Sequence, residues 1–385
     1  MQIVMLLSNA FRPDPRVLKE AQFLVDAGFD IVIICWDRLA EFPTKEILTS
    51  GIKIIRIQNV ISAYGVGARQ IFPLLRFWNA AYHLIADIKP NLIHCHDFDT
   101  LLCGLLWGKL HHIPIIYDAH EYYADLVKPR LSGLSGKLLY QIIRTTEKFA
   151  ARICSAVVTV DDTLSRFYSH FNKNIVVIGH YPRKYLAETY NPIFNRSELI
   201  LLYSGRISVD RGALIYIELL RYLIGINIPT RLLFAGVFTP AIEEQFVNQQ
   251  AKDVENSIDY LGWIPYQQIQ DIYRSADIGL CILQPQPRYI AAVPIKLFEY
   301  MASGLPVIAS NFPAISSIID EANCGIAVDP LSQPTYIAEI IKSWWITPSF
   351  PRSIGENGRQ AVLTKYNWET QSGRLSMLYH LLLEK

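Results

Sequence analysis

Short apolar runs alternate with stretches of helical periodicity along most of the chain. The runs Gln2–Leu7 and Ile31–Cys35 predict two buried strands, and the segment 15–27 between them carries apolar residues three or four positions apart, as a helix does. A strand, a helix and a second strand of this length are typical of a right-handed βαβ unit in a parallel sheet. The beginning of the chain is therefore predicted to be a doubly wound α/β domain.

The same alternation continues on both sides of an aperiodic segment, 181–198, which holds two prolines and reads as an interdomain linker. Further strands are predicted at Lys53–Ile57, Leu92–Cys95, Pro114–Tyr117, Ile175–Ile178, Leu199–Leu202, Arg231–Ala235, Ala276–Leu280, Val307–Ala309 and Gly325–Val328. A length of 385 residues suits two domains better than one core. We therefore expect an N-terminal domain over 1–180 and a C-terminal domain over 199–366, both doubly wound.

Composition narrows the class of protein. Hydrophobic residues make up 51% and charged residues 18%, as in a globular protein, and a formal net charge of +1 gives no reason to expect a nucleic acid partner. The apolar runs are too short to span a bilayer, and the N-terminus lacks the features of a signal peptide. Six scattered cysteines without a C-x-x-C pair are typical of reduced core residues. These features predict a cytoplasmic protein.

The stretch around residue 300 combines a helix start with groups that suit a nucleoside diphosphate. A helix is predicted from Lys296 to Ser303, with Pro294 before it and Gly304 at its end. Its first backbone N–H groups form an anion site, and a bound phosphate would explain a lysine in a turn where a cation is otherwise unfavourable. Glu299 could accept two hydrogen bonds from a diol. A phosphate and a diol are both present in a nucleoside diphosphate, so these groups predict that the stretch binds a nucleotide.

Basic residues also follow the first strand of the second domain. Arg206 and Arg211 lie five positions apart around a turn, so both can reach one diphosphate through the bidentate contacts that guanidinium groups make. By contrast, the loop after the first strand of the chain contains no glycine, which disfavours a nicotinamide or flavin enzyme, and no cofactor is expected. That loop carries Arg12, Asp14 and Arg16, either as residues that face a cleft or as exposed loop charges.

Two further aspartates, Asp97 and Asp99, follow the predicted strand Leu92–Cys95. The pair has the form D-x-D, which can bind a metal, but both positions lie at a predicted helix start. There, aspartates cap the backbone and complement the helix dipole. We expect a capping role, and keep both residues as candidates for the acceptor side of the site.

The motifs resemble those of retaining GT-B glycosyltransferases of the family 4 type. The resemblance rests on the stretch 291–311 (AAVPIKLFEYMASGLPVIASN), the loop at Arg206, the S-x-x-x-x-P-D-P-R loop at 8–16 and the Y-D-A-H-E segment at 117–121. The family has a Glu-x7-Glu element; Glu299 matches its second glutamate, whereas Ala291 stands where the first would be.

The resemblance implies a GT-B fold, two Rossmann-like domains that face each other across a cleft, with the helix in 367–385 joining the N-terminal domain. It assigns Glu299 to the ribose, the two arginines to the diphosphate and His120 to the transferring sugar; as an alternative, His120 with its flanking carboxylates forms a structural ion pair. The remaining donor-side positions that it implies are Gly236, Val237, Ile264, Ala292, Val293, Lys296 and Leu297.

The function implied by the resemblance is transfer of a hexose from a nucleotide sugar, most plausibly UDP-glucose, to a growing polysaccharide or lipid-linked glycan. The family's transfer retains the anomeric configuration and needs no metal. Two alternatives stay open, a UDP-sugar epimerase of the same fold and a non-catalytic subunit that binds nucleotide or glycan, the latter because of Ala291.

A basic and apolar segment over 127–152 is a candidate contact with an anionic membrane surface. A solvated helix face would explain the same charges. The sequence leaves both interpretations open.

Overall fold

The structure, a computed structural model, describes residues 1–11, 14–62, 70–128, 133–188, 197–265, 268–290 and 292–384. It divides into two compact units. The N-terminal unit comprises Met1–His180 and Thr370–Lys385, and the C-terminal unit comprises Tyr181–Glu369. Each unit is a Rossmann-like α/β domain built around one mostly parallel sheet, as the alternation of apolar runs and helical periods predicts.

The N-terminal unit has an eight-stranded sheet in the order β3-β4-β2-β1-β5-β6-β7-β8. Its strands are β1 (Gln2–Leu7), β2 (Asp30–Trp36), β3 (Lys45–Ile47), β4 (Lys53–Ile57), β5 (Leu92–His96), β6 (Ile115–Ala119), β7 (Ala156–Thr159) and β8 (Ile175–Val177). Its helices are α1 (Pro15–Asp26), α2 (Ile71–Ile88), α3 (Phe98–His111), α4 (Tyr123–Val127), α5 (Gly133–Ile153), α6 (Asp162–Ser169) and most of α16 (Trp368–Leu383).

Local sequence explains how this unit begins. Asp14 caps α1 by accepting a hydrogen bond from the Arg16 backbone N–H at 3.1 Å, and Pro15 occupies the first helical position. Apolar residues of α1 then bury against the sheet, where β1 is almost fully inaccessible. At the other end of the chain, Tyr379 of α16 is also fully buried in this unit.

The C-terminal unit has a six-stranded parallel sheet in the order β11-β10-β9-β12-β13-β14. Its strands are β9 (Leu199–Ser204), β10 (Thr230–Ala235), β11 (Ile258–Tyr260), β12 (Ile278–Cys281), β13 (Val307–Ser310) and β14 (Gly325–Val328). Its helices are α7 (Tyr185–Glu188), α8 (Ala213–Gly225), α9 (Glu243–Gln250), α10 (Ile269–Ser275), α11 (Pro287–Ile290), α12 (Ile295–Ala302), α13 (Pro313–Ala322), α14 (Pro334–Ile346) and α15 (Ser349–Thr364).

The strand order places a topological switch point between β9 and β12. Chain order runs outward from β9 to β10 and β11 on one side, and to β12, β13 and β14 on the other. Connections on the two sides of a switch point diverge above the carboxyl ends of the strands and leave a crevice where ligands bind in doubly wound folds. The loops after β9 and β12 therefore flank the expected ligand position of this unit.

The structure differs from the prediction in three segments. The strand β7 is not evident from the sequence, because four fully buried residues give too little periodicity to identify it. The strand β3 pairs antiparallel with β4, an addition to the predicted parallel sheet. In the predicted linker, Tyr181–Glu188 packs with the C-terminal unit: Ala187 is fully buried, and the Pro182 carbonyl accepts from the Trp368 N–H at 2.8 Å.

All six cysteines are free and buried, so each contributes its side chain to a core. Among the helices that the structure describes, none combines the length and the apolar character needed to cross a membrane.

Helix α12 is held by a close approach of backbones. Gly304, with φ of 62°, ends the helix and leads through Leu305 into β13, and α15 crosses this turn. A Cβ atom at Gly355 of α15 would lie 2.1 Å from the Gly304 carbonyl oxygen, so only glycine fits there.

We expect Gly355→Ala to lower the free energy of unfolding by about 1–3 kcal/mol, because backbone at the Gly304 turn would have to move. Gly225→Ala, at the end of α8, is the matched control, since a Cβ there meets open space. Thermal and urea unfolding of both variants measure the difference. Equal stabilities of the two variants would contradict the proposed contact.

Candidate active site

The two loops at the switch point of the C-terminal unit pack directly against each other. The Gln284 N–H, after β12, donates to the Asp210 carbonyl, after β9, at 2.9 Å. Gly212 has φ of 90°, and a Cβ atom there would lie 2.3 Å from the Ile282 carbonyl oxygen. This contact fixes the position of the segment that carries the two predicted arginines.

A second close contact joins the loops after β9 and β10. The Gly205 N–H donates to the Ala235 carbonyl at 2.8 Å, and the Ile207 N–H donates to the Val237 carbonyl at 2.9 Å. A Cβ at Gly236 would lie 1.7 Å from the Gly205 oxygen, so this position requires glycine. The predicted donor residues Gly236 and Val237 are therefore adjacent to the Arg206 loop, and the Val237 side chain is exposed.

Lys296, in the first turn of α12, is buried next to Gly205. Its residue surface is 8% exposed, and its Nζ atom has no hydrogen-bond partner among the described residues. The ammonium lies 3.5 Å from the centroid of the Tyr203 ring, a cation–π contact. Burial lowers the pKa of Lys296 from 10.5 to about 7. A buried cation at a helix N-terminus strongly favours an anion at this position.

Tyr203 also connects this lysine to the predicted arginine pair. Its hydroxyl donates to the Arg206 carbonyl at 2.7 Å, and the Arg206 side chain is exposed at the edge of the site. Arg211 is half-buried, 5.2 Å from the Tyr289 ring centroid. Burial alone would lower the pKa of Arg211, but Tyr203 and Tyr289 raise it, so the guanidinium stays charged.

Asp210 holds the segment after β12 through its side chain. The Asp210 carboxylate accepts hydrogen bonds from Arg288 and from the Tyr289 hydroxyl, the latter at 3.0 Å. These contacts hold the short helix α11 against the Arg211 loop. Asp210 thus acts as a structural partner of Arg288 and Tyr289.

Glu299 is positioned by buried hydroxyl groups. The Tyr273 hydroxyl donates to Glu299 Oε2 at 2.8 Å and lies 3.1 Å from Ser204 Oγ, at the end of β9. The Ser204 N–H in turn donates to the Tyr300 hydroxyl at 2.8 Å. Because Tyr273 and Tyr300 are buried, the carboxylate is held in one orientation relative to the switch point.

The remaining donor-side candidates differ in accessibility. Leu297 is fully buried and packs in the core, whereas Ala292, just before α12, is exposed. Val293 and Ile264 are half-buried and pack against the same core. Ala291, which replaces the expected glutamate, lies outside the described residues. The roles of these positions in donor binding stay predictions.

In the N-terminal unit, His120 belongs to a row of histidines that are buried or half-buried. Its Nδ1 lies 3.0 Å from His180 Nε2, and its Nε2 lies 3.4 Å from both Asp118 Oδ2 and His96 Nδ1. Burial lowers the pKa of His120 to about 4 and outweighs the opposite effect of Asp118. The ring is therefore neutral at pH 7, which argues against the ion-pair interpretation. Its assignment to the sugar stays a prediction.

The first loop is partly described. Asp14 and Arg16 form a hydrogen-bonded ion pair at 2.7 Å; burial would raise the pKa of Asp14, but Arg16 lowers it to about 2. Arg12 lies outside the described residues. The N-terminal unit has its own switch point between β1 and β5, and these residues follow β1 there.

The capping prediction is wrong for Asp97. This residue is at the N-cap position of α3, but its φ of 64° differs from the extended backbone of a capping residue, and its side chain makes no capping hydrogen bond. Asp99 lies in the first turn of α3. Burial raises the pKa of both carboxyl groups, and Asp99 raises that of Asp97 further.

Several residues that hold the site together are not among those that the sequence motifs predict. Tyr203, Tyr273, His180 and Tyr379 contact predicted site residues or their neighbours, yet none belongs to a recognised motif. The only available signal was their position: Tyr203 stands one residue before the end of β9, and His180 follows β8. Such a signal marks a strand end but does not identify a partner.

Two protein-family models match the chain. The model described as Glycosyltransferase Family 4 matches residues 16–180, and the model described as Glycosyl transferases group 1 matches residues 174–361. A GDP-mannose-dependent alpha-(1-6)-phosphatidylinositol dimannoside mannosyltransferase of Mycobacterium tuberculosis is 24% identical over 336 residues, which cover 83% of this chain and 81% of the relative.

Solved structures show the same fold. Sucrose-phosphate synthase from Thermosynechococcus elongatus superposes with a TM-score of 0.80 at 18% identity, over 100% of both chains. The Anabaena protein HepE in complex with UDP-glucose gives a TM-score of 0.69 at 14% identity, over 99% of this chain and 100% of that one. This chain therefore belongs to the GT-B glycosyltransferases, with a family 4 domain followed by a group 1 domain.

Proposed function

We propose that this protein is a hexosyltransferase that moves a hexose, glucose in the first instance, from a UDP-sugar to a growing polysaccharide or lipid-linked glycan. The observation that carries the proposal is the buried Lys296 ammonium, which has no hydrogen-bond partner among the described residues and stands at the N-terminus of α12 beside the switch point. A diphosphate supplies the negative charge that this position lacks.

The surrounding groups suit the rest of a nucleotide sugar. Arg206 and Arg211 follow β9 and offer planar, bidentate donors to the phosphates. Glu299, held by Tyr273, accepts hydrogen bonds from the ribose hydroxyls. Backbone groups around Gly236 are assigned to the base, on the strength of the family resemblance.

The proposed chemistry depends on charge stabilisation. As the bond between the sugar and the diphosphate breaks, negative charge grows on the leaving phosphate, and the arginines with the α12 N-terminus stabilise it. The same phosphate takes the proton from the acceptor hydroxyl, which leads to transfer with retention. His120 positions the sugar. No metal or other cofactor takes part in this scheme, because the arginines and the N-terminus of α12 supply the positive charge that a metal ion would otherwise provide.

The choice of donor rests on similarity. The Anabaena protein HepE is known with UDP-glucose, which supports UDP, whereas the mycobacterial relative is named for GDP-mannose. That relative's name also includes a lipid, phosphatidylinositol dimannoside, which supports a lipid-linked acceptor.

A second candidate is a non-catalytic subunit that binds a nucleotide or a glycan. It is favoured by Ala291, which stands where the family has a glutamate. A UDP-sugar epimerase of the same fold is the third possibility, and incubation with donor alone followed by sugar analysis identifies it. Binding of UDP without turnover of any donor and acceptor would support the subunit.

We also propose that α5 contacts an anionic membrane surface. Four apolar side chains on one face of the helix are exposed: Leu134 by 85%, Leu138 by 64%, Ile142 by 52% and Phe149 by 61%. Lys137, Arg144 and Arg152 are exposed along one side of that face. An apolar stripe beside a basic stripe is the arrangement of interfacial helices. The opposite face buries Glu147 against Tyr117 and Tyr168.

The donor assignment predicts distinct effects for the arginines and for Glu299. Arg211→Ala should reduce kcat about 10²–10³-fold, because one preorganised donor to the leaving phosphate is lost. Arg206→Ala and Glu299→Ala should remove the thermal stabilisation by UDP. Arg352→Ala, an exposed arginine on α15, is the control and should keep both properties. A thermal-shift screen with UDP, UDP-glucose, UDP-galactose and GDP-mannose measures the stabilisation, and a transfer assay with labelled sugar measures kcat. If UDP stabilises the Arg206 variant as much as it stabilises wild type, the assignment is contradicted.

The pKa of Lys296 predicts a pH-dependent affinity for UDP. Above about pH 7 the lysine is mostly neutral and must take up a proton before it can form an ion pair with the phosphate. The affinity should therefore fall by up to ~10-fold per pH unit between about pH 7.5 and 9. The phosphates of UDP stay ionised there, since their last pKa is about 6. Lys296→Met should bind weakly and without this slope, whereas Lys342→Met should behave as wild type. Calorimetry over this range measures the slope.

Lys296 also makes the stability of the ligand-free protein depend on pH. This dependence has the opposite sign to that of the affinity for UDP. The folded-state pKa of about 7 is below the ordinary 10.5, so the unfolded chain binds more protons between these values. The stability of the ligand-free protein should therefore rise with pH across that window. Ligand-free Lys296→Met should unfold at a higher temperature than wild type at pH 7, and the gain should shrink towards pH 10. A constant difference would be the contrary result.

Membrane binding is tested by flotation with vesicles. Wild type should float with vesicles that contain anionic lipid and should be released by salt, because basic residues near such a surface contribute about 1 kcal/mol each. Leu138→Asp should remain unbound. Met377→Asp, which changes an exposed apolar residue on α16 of the same unit, is the control. Equal loss in both variants, or no binding by wild type, would refute a role of α5.

A further inference from the structure

Four buried side chains of the N-terminal unit converge at the carboxyl end of β5 and β6. They form what we call the buried cluster, which consists of Glu20, His94, His96 and Asp118. One nitrogen or oxygen atom from each residue lies within 4.8 Å of those of the other three. All four residues are at most 3% exposed. The residues assigned to the diphosphate and the ribose belong to the C-terminal unit. His120, which is assigned to the transferring sugar, lies 3.4 Å from two members of the cluster, at Asp118 Oδ2 and His96 Nδ1.

The fold places these residues on one side of the sheet. His94 and His96 are two positions apart on β5, so their side chains project from the same face. Asp118 of β6 is the register partner of His96, and Glu20 is on the buried face of α1. A pair of histidines on one strand, with carboxylates from two other elements, is an arrangement that can surround a single ion.

Polar atoms of the cluster are left without hydrogen bonds among the described residues. These atoms are Glu20 Oε2, His94 Nε2, His96 Nε2 and Asp118 Oδ2. An unsatisfied polar atom inside a protein costs about 1–3 kcal/mol, and more if it is charged. Asp118 Oδ2 does lie 2.9 Å from His96 Nδ1 and 3.6 Å from His94 Nε2. A cation bound among the four side chains would offset the cost of burying these polar groups.

The surroundings support ligation by His94. Its Nδ1 lies 2.5 Å from the Tyr379 hydroxyl of α16. If Nδ1–H donates to the tyrosine oxygen, the lone pair of Nε2 is left to face the cluster. A partner on the other ring nitrogen is the usual outer contact of a metal-bound histidine, and it fixes both tautomer and orientation.

We propose that the buried cluster is a structural binding site for one Zn²⁺ ion. Two imidazoles and two carboxylates match the donor atoms and the four-coordinate geometry that Zn²⁺ prefers. The two carboxylates balance the charge of the ion. Because protein side chains fill all four positions and the site is buried, it has no open position for substrate, and the ion stabilises the N-terminal unit.

The test uses the full chain after treatment with a chelator. Wild type should take up one Zn²⁺ per chain, retain it through buffer exchange, as measured by mass spectrometry of metals, and unfold at a higher temperature. Co²⁺ in its place should give the visible absorption bands of a four-coordinate ion.

Variants locate the site. Glu20→Gln and His96→Gln should each weaken Zn²⁺ binding by more than the ~10–100-fold that loss of an outer partner costs, and Tyr379→Phe should weaken it within that range. His170→Gln, an exposed histidine of the same unit, is the matched control and should bind as wild type.

Either of two results would overturn the proposal. One is retention of Zn²⁺ by Glu20→Gln and His96→Gln equal to that of wild type, which would place the ion elsewhere. The other is the absence of Co²⁺ bands from wild type at one equivalent, which decides the question even if the variants do not fold. Binding of UDP is measured separately, so failure here leaves the donor assignment intact.

Discussion

A lysine ammonium inside the C-terminal unit, without a hydrogen-bond partner among the described residues, is the interaction on which the candidate donor site depends. Burial lowers its pKa, the Tyr203 ring provides only a cation–π contact, and the N-terminus of α12 adds positive potential. The ligand-free protein would be more stable without a buried ammonium group at this position. Its presence at a switch point is therefore best explained by a ligand that carries negative charge.

The surrounding fold keeps that lysine in place. Helix α12 is fixed at its end by the Gly304 turn under α15, and Gly236 lets the loops after β9 and β10 approach closely. Buried tyrosines then connect the functional groups: Tyr203 contacts Lys296 and the Arg206 carbonyl, and Tyr273 holds Glu299. Rigid aromatic side chains lose little entropy when they serve as hydrogen-bond partners, which suits them to a preorganised site.

The two units share an architecture but present opposite chemistry at the ends of their strands. In the C-terminal unit the groups near the switch point are cationic, with Lys296 buried and Arg211 half-buried. In the N-terminal unit imidazoles and carboxylates meet around Asp118, and burial lowers the pKa of His94 and His120 while it raises that of Glu20. The difference arises from the loops and strand ends, because the sheet itself is determined by apolar side chains in both units.

The sequence by itself determined the α/β class, most strands, the cap at Asp14 and the position of helix α12, because these features depend on periodicity and on neighbours within one turn. Only the tertiary structure decided that the short β7 is a strand, that Asp97 does not cap, and that Tyr379 lies against His94, 285 positions away. Such contacts arise from the packing of elements distant in the chain, and local patterns carry no information about which distant side chain fills a given space.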